Sequence, residues 1–444
     1  MTPLQPHSPR ALLIELYWAA VHAAMPGPAL SAALERVASS RDQRIFIFAL
    51  GKAAHSMAAA ATEALRVRDL DPAGGVIVAP TLEPSPHPRV TATTGDHPEP
   101  GPSSLRAADL IGAAAREVQR GDEAWVLLSG GATSLTAAPI GGVSPADLKD
   151  LYAMLLGSGL DIAAMNRIRK RFSRWGGGRL AAALAPGRVR CFVVSDVIGD
   201  DLAAIGSGPC VPDPSTASET KAQLTKAGLW SRLPVVLQQQ IEATERGQAP
   251  ETPKPGDPAF ENMEVRLIVS NRLALEAAAD RARDLGLVAQ VRGADLAGEA
   301  SQVGARIATT ALNDRYAMSA AQRAMAEHSV LIWGGETTVT LGPHPGTGGR
   351  SQELALAAAQ VLAKDAAGGI TLLAAGTDGR DGPTDAAGAV VDGQTWAAIH
   401  EAGRDPDRDL ALHDAYPALA AAGALLRTGH TGTNVMDIVM ALLE

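Results

Sequence analysis

Glycine-rich turns are the segments of this chain best suited to bind an anion. Glycine lets backbone N–H groups approach a phosphate closely, and a helix that begins after the turn adds a favourable dipole. One such turn alone is weak evidence, because glycine also serves ordinary turns, but their recurrence favours phosphate binding. The predicted phosphate-binding positions are Gly51-Lys52, Ser129, Gly130, Gly131, Thr133, Ser134, Gly334, Gly335 and the segment from Gly346 to Arg350.

Two cations stand next to these glycines. Lys52 follows a predicted strand and precedes a predicted helix, and Arg350 follows Gly348-Gly349 at the start of another helix. A planar guanidinium can bind a carboxylate or a phosphate through two parallel hydrogen bonds. The alternative for either residue is a solvated surface cation. We predict that Lys52 binds a phosphate or carboxylate and that Arg350 binds an anionic group of the substrate.

Two acidic turns are candidates for a metal site. Asp196 begins the sequence Asp-Val-Ile-Gly-Asp-Asp after one predicted strand, and Asp378 stands in Thr-Asp-Gly-Arg-Asp-Gly after another. Mg²⁺ in phosphoryl-transfer sites usually takes one or two carboxylates together with phosphate oxygens. Some acids of these turns must simply form the turn or cap a helix. Asp196 and Asp378 are the predicted metal ligands, because each comes directly after a strand end.

A polar loop with the sequence Gly95-Asp96-His97-Pro98 carries a further candidate, His97. A lone loop histidine is more often structural than functional. The alternative is contact with the substrate, and we keep His97 as a predicted substrate-binding residue.

Short apolar runs alternate with Ala/Leu-rich helical segments along the chain. Predicted strands include Ile45 to Leu50, Ala124 to Leu128 and Arg190 to Val194. Such alternation is typical of βαβ units and a mostly parallel sheet, in which ligands bind beyond the carboxyl ends of the strands. The glycine-rich and acidic turns follow predicted strands, so we expect them to lie at that edge. The predicted fold class is α/β.

A proline-rich segment divides the chain into two predicted domains. It contains Pro250, Pro253, Pro255 and Pro258, which are too many for a helix or a central strand. Alternation of strands and helices resumes after it. We predict an N-terminal domain over residues 1–246, a linker over 247–261 and a C-terminal α/β domain over 262–444.

The two halves share a short internal echo. The segment from Val126 to Ser134 resembles the segment from Val330 to Thr338, and each is a strand followed by Gly-Gly. Ser195-Asp196 likewise has a counterpart in Gly376-Thr377-Asp378. One interpretation is that each half presents a Gly-Gly turn and an acidic turn to the same cleft. The alternative is that β-turn-α units resemble each other everywhere.

Composition argues against several classes of protein. The net charge is −9, the pI is about 5.6 and no long Lys/Arg run occurs, which argues against a nucleic-acid-binding protein. Two cysteines without a CxxC pair argue against a disulfide framework and a cysteine zinc site. No signal sequence and no apolar run of about 18 residues is found. The prediction is a cytoplasmic protein without a membrane span.

Several standard motifs are missing. Around Gly51-Lys52 the earlier glycine of a P-loop is replaced by Phe46, and the lysine is followed by Ala53. The third glycine of the dinucleotide fingerprint is absent from both Gly-x-Gly candidates, and neither GxSxG nor HExxH occurs. These absences argue against a P-loop NTPase, a Rossmann dehydrogenase, an α/β-hydrolase and a zinc peptidase.

Long motifs in a fixed order run through nearly the whole chain, and together they resemble one family. The resemblance is to the glycerate kinases that form glycerate 2-phosphate, some of which are labelled hydroxypyruvate reductases, with a C-terminal domain of the MOFRL type. The motifs are LGKAA at Leu50–Ala54, GDHP at Gly95–Pro98, LSGG at Leu128–Gly131, NRIRK at Asn166–Lys170, VSDVIGDD at Val194–Asp201, SGP at Ser207–Pro209, GGETTV at Gly334–Val339, GGR at Gly348–Arg350, AGTDG at Ala375–Gly379, DGPTD at Asp381–Asp385 and TGTN at Thr431–Asn434.

The resemblance implies a Rossmann-like N-terminal domain, a smaller α/β C-terminal domain and an active site in the cleft between them. It implies that Lys52 and Arg350 are essential, and that ATP, Mg²⁺ and D-glycerate are the ligands. Glu336 and Asn434 are then further substrate-binding candidates. A homodimer is also expected. The chain departs from the family pattern at Ser351, where Asn is usual, at Gly176 (Lys), at Met436 (Asn) and at Cys210 (Thr).

The resulting hypothesis is an in-line phosphoryl transfer. Arg350 holds the glycerate carboxylate, and the 2-hydroxyl attacks the γ-phosphate of ATP. Lys52 and the N–H groups of Gly130 and Gly131 stabilise the transferring oxygens. Asp196 binds Mg²⁺ or orients the hydroxyl. The alternatives are a kinase for a related hydroxy acid, an NAD(P)H-dependent hydroxypyruvate reductase, and a non-catalytic protein that binds sugar acids.

Overall fold

The chain forms two compact units. The structure, a computed structural model, describes residues 8–37, 43–317, 328–365 and 368–444, without the side chains of residues 162 and 163. One unit is Pro26–Ile268, which we call the parallel-sheet unit. The other combines Met1–Met25 with Val269–Glu444, and we call it the mixed-sheet unit. Within the described residues, no helix is long and apolar enough to cross a bilayer.

In both units, several strands end at the glycine-rich and acidic turns that the sequence predicts. The predicted strand Ile45–Leu50 is confirmed without change. The strands are β1 (Ile45–Leu50), β2 (Gly74–Ala79), β3 (Thr91–Thr94), β4 (Glu123–Leu128), β5 (Arg188–Val194), β6 (Met263–Val269), β7 (Val288–Leu296), β8 (Ser329–Gly335), β9 (Ile370–Gly376), β10 (Gly388–Asp392), β11 (Leu425–Leu426) and β12 (Asp437–Leu443).

Helices fill the segments between the strands. Several begin at side-chain caps, and Ser144 and Thr216 each form a capping box with an acid three residues later. The helices are α1 (Pro9–Ala23), α2 (Pro26–Glu35), α3 (Ala54–Arg66), α4 (Pro102–Ala115), α5 (Ala132–Leu135), α6 (Pro145–Leu156), α7 (Ile162–Phe172), α8 (Arg179–Leu184), α9 (Ala217–Lys226), α10 (Val235–Glu245), α11 (Asn271–Asp284), α12 (Ala300–Ala317), α13 (Arg350–Leu362), α14 (Thr395–Glu401), α15 (Pro406–Ala411) and α16 (Ala415–Ala421).

The parallel-sheet unit is built on a six-stranded sheet in the order β3-β2-β1-β4-β5-β6. Strands β1 to β5 run parallel to their neighbours. Every residue of β1 and of β4 is buried, which is typical of strands covered on both faces. The strand order reverses between β1 and β4, and ligands bind at such a point in doubly wound sheets. The predicted α/β class is confirmed.

The mixed-sheet unit has a six-stranded sheet in the order β11-β10-β9-β12-β8-β7. Its central strand β12 runs antiparallel to both β8 and β9, whereas β7 and β8 are parallel. Asp437, the first residue of β12, is in register with Gly335 on one side and Gly376 on the other. Two glycine neighbours leave space around this carboxylate for another side chain.

Helix α1 belongs to the mixed-sheet unit, although the sequence analysis placed it in the N-terminal domain. Its buried face includes Leu13, Leu16 and Tyr17. Arg10 donates to the carbonyl oxygen of Leu425 at 2.9 Å, and the Tyr17 hydroxyl donates to that of Gly376 at 2.8 Å. An amphipathic helix lies where its apolar face finds a partner, and sequence order alone does not specify that place.

The boundary after the prolines also differs from the prediction. Strand β6 follows the proline-rich segment and adds to the edge of the parallel sheet, so the units divide at Ile268. Residues 247–261 lie inside the parallel-sheet unit, where the N–H of Asp213 donates to the carbonyl oxygen of Pro253 at 2.9 Å. Arg171 pairs with Glu251 at 2.7 Å. The segment contains a short 3₁₀ helix, Pro258–Phe260, and hydrogen bonds and ion pairs attach it to the rest of the unit.

Candidate active site

The turns after β1 and β4 are locked to each other by hydrogen bonds. The N–H of Lys52 donates to the carbonyl oxygen of Gly130 at 2.9 Å, and the N–H of Ala53 donates to Ser129 Oγ at 3.0 Å. Gly51 has a φ of +124°, and a Cβ there would lie 2.3 Å from Ser129 Oγ. Glycine is therefore required at position 51, and the buried Ser129 hydroxyl serves the turn itself.

Asp196 lies directly against the Gly-Gly turn. A Cβ added at Gly130 would stand 1.9 Å from Asp196 Oδ2, closer than any real contact. Strand β5, which ends two residues before Asp196, is next to β4 in the sheet. The missing side chain of Gly130 thus creates the space that the Asp196 carboxylate occupies.

His97 reaches the same turn from the edge strand β3. A Cβ at Gly131 would lie 3.2 Å from His97 Nε2 and 3.4 Å from Lys52 Cε. The Asp96 carboxylate fixes the loop, because it accepts the N–H groups of Ser103 and Ser104 at the start of α4. Burial and the charge of Lys52 lower the pKa of His97, and Asp196 acts in the opposite direction. The lowered pKa favours the neutral imidazole of His97.

These contacts bring five predicted residues together: Lys52, His97, Gly130, Gly131 and Asp196, which we call the Lys52 cluster. The two hydroxyl residues after the glycines have partners of their own. Thr133 Oγ1 shares a hydrogen bond with Ser207 Oγ at 3.0 Å, and Ser134 Oγ donates to the carbonyl oxygen of Gly131 at 3.2 Å. The Ser134 hydroxyl would have to exchange this bond to donate to a phosphate, whereas Thr133 can donate to one when Ser207 is the donor of the bond between them.

Arg350 lies in the mixed-sheet unit between two carboxylates. Its Nε and one terminal nitrogen donate to the two oxygens of Asp437 at 2.6 and 3.0 Å. The other terminal nitrogen donates to Glu336. Burial lowers the pKa of Arg350, but the hydrogen bonds to Asp437 and the charges of Asp437, Glu336 and Asp381 together outweigh burial, so the net shift is upward. A guanidinium has five N–H donors, so two of the five remain after these three hydrogen bonds.

Asp437 and Asp381 are buried acids that the sequence analysis did not assign to the site. Burial raises the pKa of Asp437 to about 6, with Arg350 opposing and Glu336 and Asp378 adding to the rise. Burial raises the pKa of Asp381 to about 7. An acid at the start of the apolar run Asp-Ile-Val-Met-Ala-Leu-Leu was a signal for Asp437, because such an acid needs a buried partner.

Asp381 holds the start of α13 in place. Its two carboxylate oxygens accept the N–H groups of Ser351 and Gln352 at 3.2 and 2.8 Å. A Cβ at Gly349 would lie 2.2 Å from its Cγ. The glycines before Arg350 therefore let a buried carboxylate cap the helix that carries Arg350, which is a structural use of glycines predicted to bind phosphate.

The remaining predicted residues of this unit surround Asp437. A Cβ at Gly376 would lie 3.1 Å from Asp378 Oδ1 and 3.5 Å from Asp437 Oδ1. Gly335 packs against the backbone of Leu296, and Gly334 against the side chain of Asn271. Asn434 is exposed and accepts the N–H of Met436 at 3.1 Å. We call Arg350, Glu336, Asp378, Asp381 and Asp437 the Arg350 cluster.

The predicted metal ligands lie in different units, Asp196 in the parallel-sheet unit and Asp378 in the mixed-sheet unit. Among the residues that the structure describes, no three His, Cys, Asp or Glu side chains are arranged to hold a metal ion. A dedicated protein cage is therefore not the type of site that these residues fit. A single carboxylate beside phosphate-binding groups fits Mg²⁺ that is bound mainly through phosphate oxygens.

Comparison with known proteins gives the family. The model of the Domain of unknown function (DUF4147) matches residues 12–242, and that of the MOFRL family matches residues 329–437. The chain is 35% identical to the D-glycerate 2-kinase of Thermotoga maritima over 99% of each chain. It belongs to the glycerate 2-kinase family. The glycerate 2-kinase of Pyrococcus horikoshii is 37% identical over 90% of this chain and 87% of its own.

A solved structure of the glycerate 2-kinase family has the same fold. The crystal structure of glycerate kinase from Thermotoga maritima matches with a TM-score of 0.88 at 34% identity, over 99% of this chain and 100% of that chain. A protein of Agrobacterium vitis with the name putative hydroxypyruvate reductase is 37% identical over 98% of this chain and 95% of its own. The predicted resemblance is confirmed, and with it the prediction of a kinase.

The departures from the family pattern lie in the interior. Ser351 is 1% exposed, so a ligand that enters from solvent does not reach its side chain. Its Oγ has no hydrogen-bond partner among the described residues. Met436 is 3% exposed with a φ of +68°, a conformation that Asn adopts more readily than Met. Gly176 is buried, and a Cβ there would lie 3.2 Å from the Ser173 side chain and 3.3 Å from that of Ser207. Cys210 is buried in the same apolar cluster as Cys191.

Proposed function

We propose that this chain transfers the γ-phosphoryl group of ATP to the 2-hydroxyl of D-glycerate and so forms glycerate 2-phosphate and ADP, with Mg²⁺ as the metal. The observation that carries the proposal is the Lys52 cluster. In it a lysine, a carboxylate and a Gly-Gly turn meet beyond the carboxyl ends of β1, β4 and β5, where doubly wound sheets bind ligands. Membership of the glycerate 2-kinase family supports the choice of substrate.

Charge neutralisation is the task that we assign to the Lys52 cluster. Phosphoryl transfer requires mainly positioning and stabilisation of charge on the phosphate oxygens. The exposed Lys52 ammonium and the backbone N–H groups of Gly130 and Gly131 supply it. His97, whose lowered pKa favours the neutral imidazole, contributes one ring N–H to a substrate oxygen.

Asp196 is the metal ligand that we favour within this cluster, and Asp378 is the second candidate. A bound Mg²⁺ would supply neutralisation of the charge that develops on the phosphate oxygens. The Asp196 carboxylate lies against Gly130, directly beside the turn that is proposed to bind the phosphate, which is a suitable place for a metal ligand. The same position suits the alternative role, in which the Asp196 carboxylate orients the attacking hydroxyl.

Arg350 binds the glycerate carboxylate in this proposal through its two remaining N–H donors. Asp437 holds the guanidinium by Nε and one terminal nitrogen, which fixes its plane. The side chain of Glu336 is 43% exposed, so it is the partner that can give way to a substrate carboxylate. Glu336 and Asn434 remain predicted substrate-binding residues.

The strand order β3-β2-β1-β4-β5-β6 supports the predicted Rossmann-like character of the parallel-sheet unit. The prediction of an active site in a cleft between the domains stays a prediction, as do the homodimer and the cytoplasmic location. Both clusters are needed for the proposed reaction, and variants of either cluster test that requirement separately.

The experiment that tests the proposal is ADP release from ATP, Mg²⁺ and D-glycerate, with the product identified by direct coupling to enolase. Enolase consumes the 2-phosphate directly and requires a mutase for the 3-phosphate. The expected result is turnover in the direct coupling. Near-native turnover of both Lys52→Ala and Arg350→Ala would show that the residue assignment is wrong. Oxidation of NAD(P)H by hydroxypyruvate, without ADP release, would establish the reductase instead.

A further inference from the structure

Asn271 is a buried polar residue at the centre of the mixed-sheet unit. It is the first residue of α11, directly after the N-cap Ser270, and it is 1% exposed. Such a residue needs hydrogen-bond partners, because burial of an unpaired amide is costly. Its partners are not on its own helix but at the start of β12, in the segment that leads to Asp437.

The side-chain amide of Asn271 donates hydrogen bonds to the residues on both sides of Met436, whose backbone is strained. Its Nδ2 donates to the carbonyl oxygen of Val435 at 2.7 Å and to that of Asp437 at 3.0 Å. Met436 lies between them with a φ of +68°, which is unfavourable for a residue other than glycine. Strained backbone of this kind persists only where its surroundings hold it, and it is concentrated at functional sites.

Thr377 holds the same residue from the other side. Its N–H and its hydroxyl both donate to the carbonyl oxygen of Met436, at 3.0 and 2.7 Å. Its Oγ1 also accepts the N–H of Val435 at 2.8 Å. Five hydrogen bonds, two from Asn271 and three from Thr377, therefore fix residues 435–437.

The side-chain oxygen of Asn271 faces the end of β8, which leads to Glu336. Its Oδ1 lies 1.9 Å from where a Cβ of Gly334 would be, and it has no hydrogen-bond partner. The amide cannot be turned over, because Oδ1 would then face two carbonyl oxygens. Asn271 thus touches the end of β8, two residues before Glu336, as well as the start of β12.

Both elements that Asn271 touches carry a carboxylate that binds Arg350. The Asp437 carboxylate accepts hydrogen bonds from Nε and one terminal nitrogen of Arg350, and the Glu336 carboxylate accepts one from the other terminal nitrogen. We infer that Asn271 is a positioning residue for the proposed kinase reaction: it fixes the backbone at Met436 and so sets the Asp437 carboxylate that orients the Arg350 guanidinium. The inference rests on the proposed function for its kinetic test.

The variants that test this role are Asn271→Ala and Asn271→Asp, with Asn313→Ala on the exposed face of α12 as the matched control. Asn271→Ala leaves two carbonyl oxygens unpaired, and we expect kcat/KM for glycerate to fall by about 10- to 100-fold. Asn271→Asp puts a carboxylate against those oxygens and should lose more. Asn313→Ala should keep the wild-type value.

A double-mutant cycle with Arg350→Lys separates positioning from a general structural role. If Asn271 acts through Arg350, adding Asn271→Ala to Arg350→Lys should lower kcat/KM by less than about 3-fold. Thermal unfolding gives the temperature below which each variant is fully folded, and activity is measured there. Losses that multiply, or full activity per folded molecule in Asn271→Ala, would overturn the inference.

Two further measurements keep the inference testable if Asn271→Ala does not fold or if the kinase proposal fails. Thr377→Val removes the two hydroxyl hydrogen bonds to residues 435 and 436 with little change in shape and leaves the N–H bond of residue 377 in place. It should give the same non-additivity with Arg350→Lys. A crystal structure of Asn271→Ala, or of Thr377→Val, should show Asp437 displaced from Arg350. An unchanged Asp437–Arg350 pair in that structure overturns the inference, whereas absence of glycerate turnover by the wild type overturns only the kinase proposal.

Discussion

Gly130→Ala is the substitution whose effect can be worked out most directly from the structure. The added methyl carbon would stand 1.9 Å from Asp196 Oδ2, whereas ordinary contacts of this kind begin at 3.4 Å. One of the two groups must therefore move by roughly 1.5 Å. Gly130 has no left-handed φ, so alanine meets no backbone strain there and the steric effect stands alone.

A shift of that size should be felt in catalysis more than in folding. Misplacement of a catalytic group by about 1 Å can cost about 100-fold in rate, so we expect kcat to fall by about that factor. Overpacking of a buried site typically costs about 1–3 kcal/mol of the free energy of unfolding. The coupled ADP-release assay measures the first quantity and urea unfolding measures the second.

Gly141→Ala is the matched control, because no atom lies within 4 Å of its added Cβ and its φ is not left-handed. It should leave both quantities unchanged. Gly130→Ala in an Asp196→Ala background should add little further loss, because the displaced carboxylate is then already gone. Wild-type kcat in Gly130→Ala, or a full additional loss in the Asp196→Ala background, would refute this reasoning.

Three further predictions concern single groups. Lys52→Ala should lower kcat by at least about 100-fold while Tm stays within about 2 °C, since surface substitutions rarely change stability by more than about 0.5 kcal/mol. Tyr17→Phe removes the hydroxyl hydrogen bond to the Gly376 carbonyl, which still accepts the N–H of Gly379 at 3.4 Å, and should cost about 0.5–1.5 kcal/mol in urea unfolding, whereas the exposed Tyr316→Phe should cost less than about 0.5 kcal/mol. Burial raises the pKa of Asp381 to about 7, so its stabilising contribution is complete below pH 4 and is lost as the pH rises towards 7. Urea unfolding of Asp381→Asn should therefore lose less stability over that range than the wild type, and an equal loss would exclude this residue as the cause.

The strands and their turns could be predicted because apolar runs and glycines are local signals. Ile45–Leu50 was predicted to the residue, and the predicted strand Ala124 to Leu128 lacked only Glu123. The position of Lys52 after β1 followed from the same signals. Local patterns specify where a strand ends, and the ends of parallel strands share one edge of the sheet.

Contacts between distant segments could not be predicted in this way. His97 follows the edge strand β3, yet it lies beside Gly131 and Lys52, because its loop is held by the start of α4. Asp437 and Asn271 are single polar residues beside apolar runs, and their partners are far away in sequence. The division into domains differed for the same reason, since strand pairing at β6 is a non-local property.

The internal echo between the halves has a geometric counterpart that differs from the one predicted. At Gly130 the space of the missing side chain is filled by Asp196, and at Gly334 it is filled by Asn271, each at 1.9 Å from the absent Cβ. The predicted counterpart of Asp196 was Asp378, which lies beside Gly376 instead. The two similar turns therefore contact different groups: a carboxylate in the parallel-sheet unit and a neutral amide in the mixed-sheet unit.

The place of α1 has a consequence for folding on the ribosome. Residues Met1–Met25 belong with Val269–Glu444, so the parallel-sheet unit, Pro26–Ile268, is synthesised between the two parts of the mixed-sheet unit. At a translation rate of about 5–20 residues per second, synthesis of the residues after Ile268 takes roughly 10–35 s. During this time the apolar face of α1 lacks some of the residues that it packs against in the folded protein. The parallel-sheet unit can fold as soon as it emerges. Chaperones that bind exposed apolar helices therefore have a defined period in which to protect Leu13, Leu16 and Tyr17.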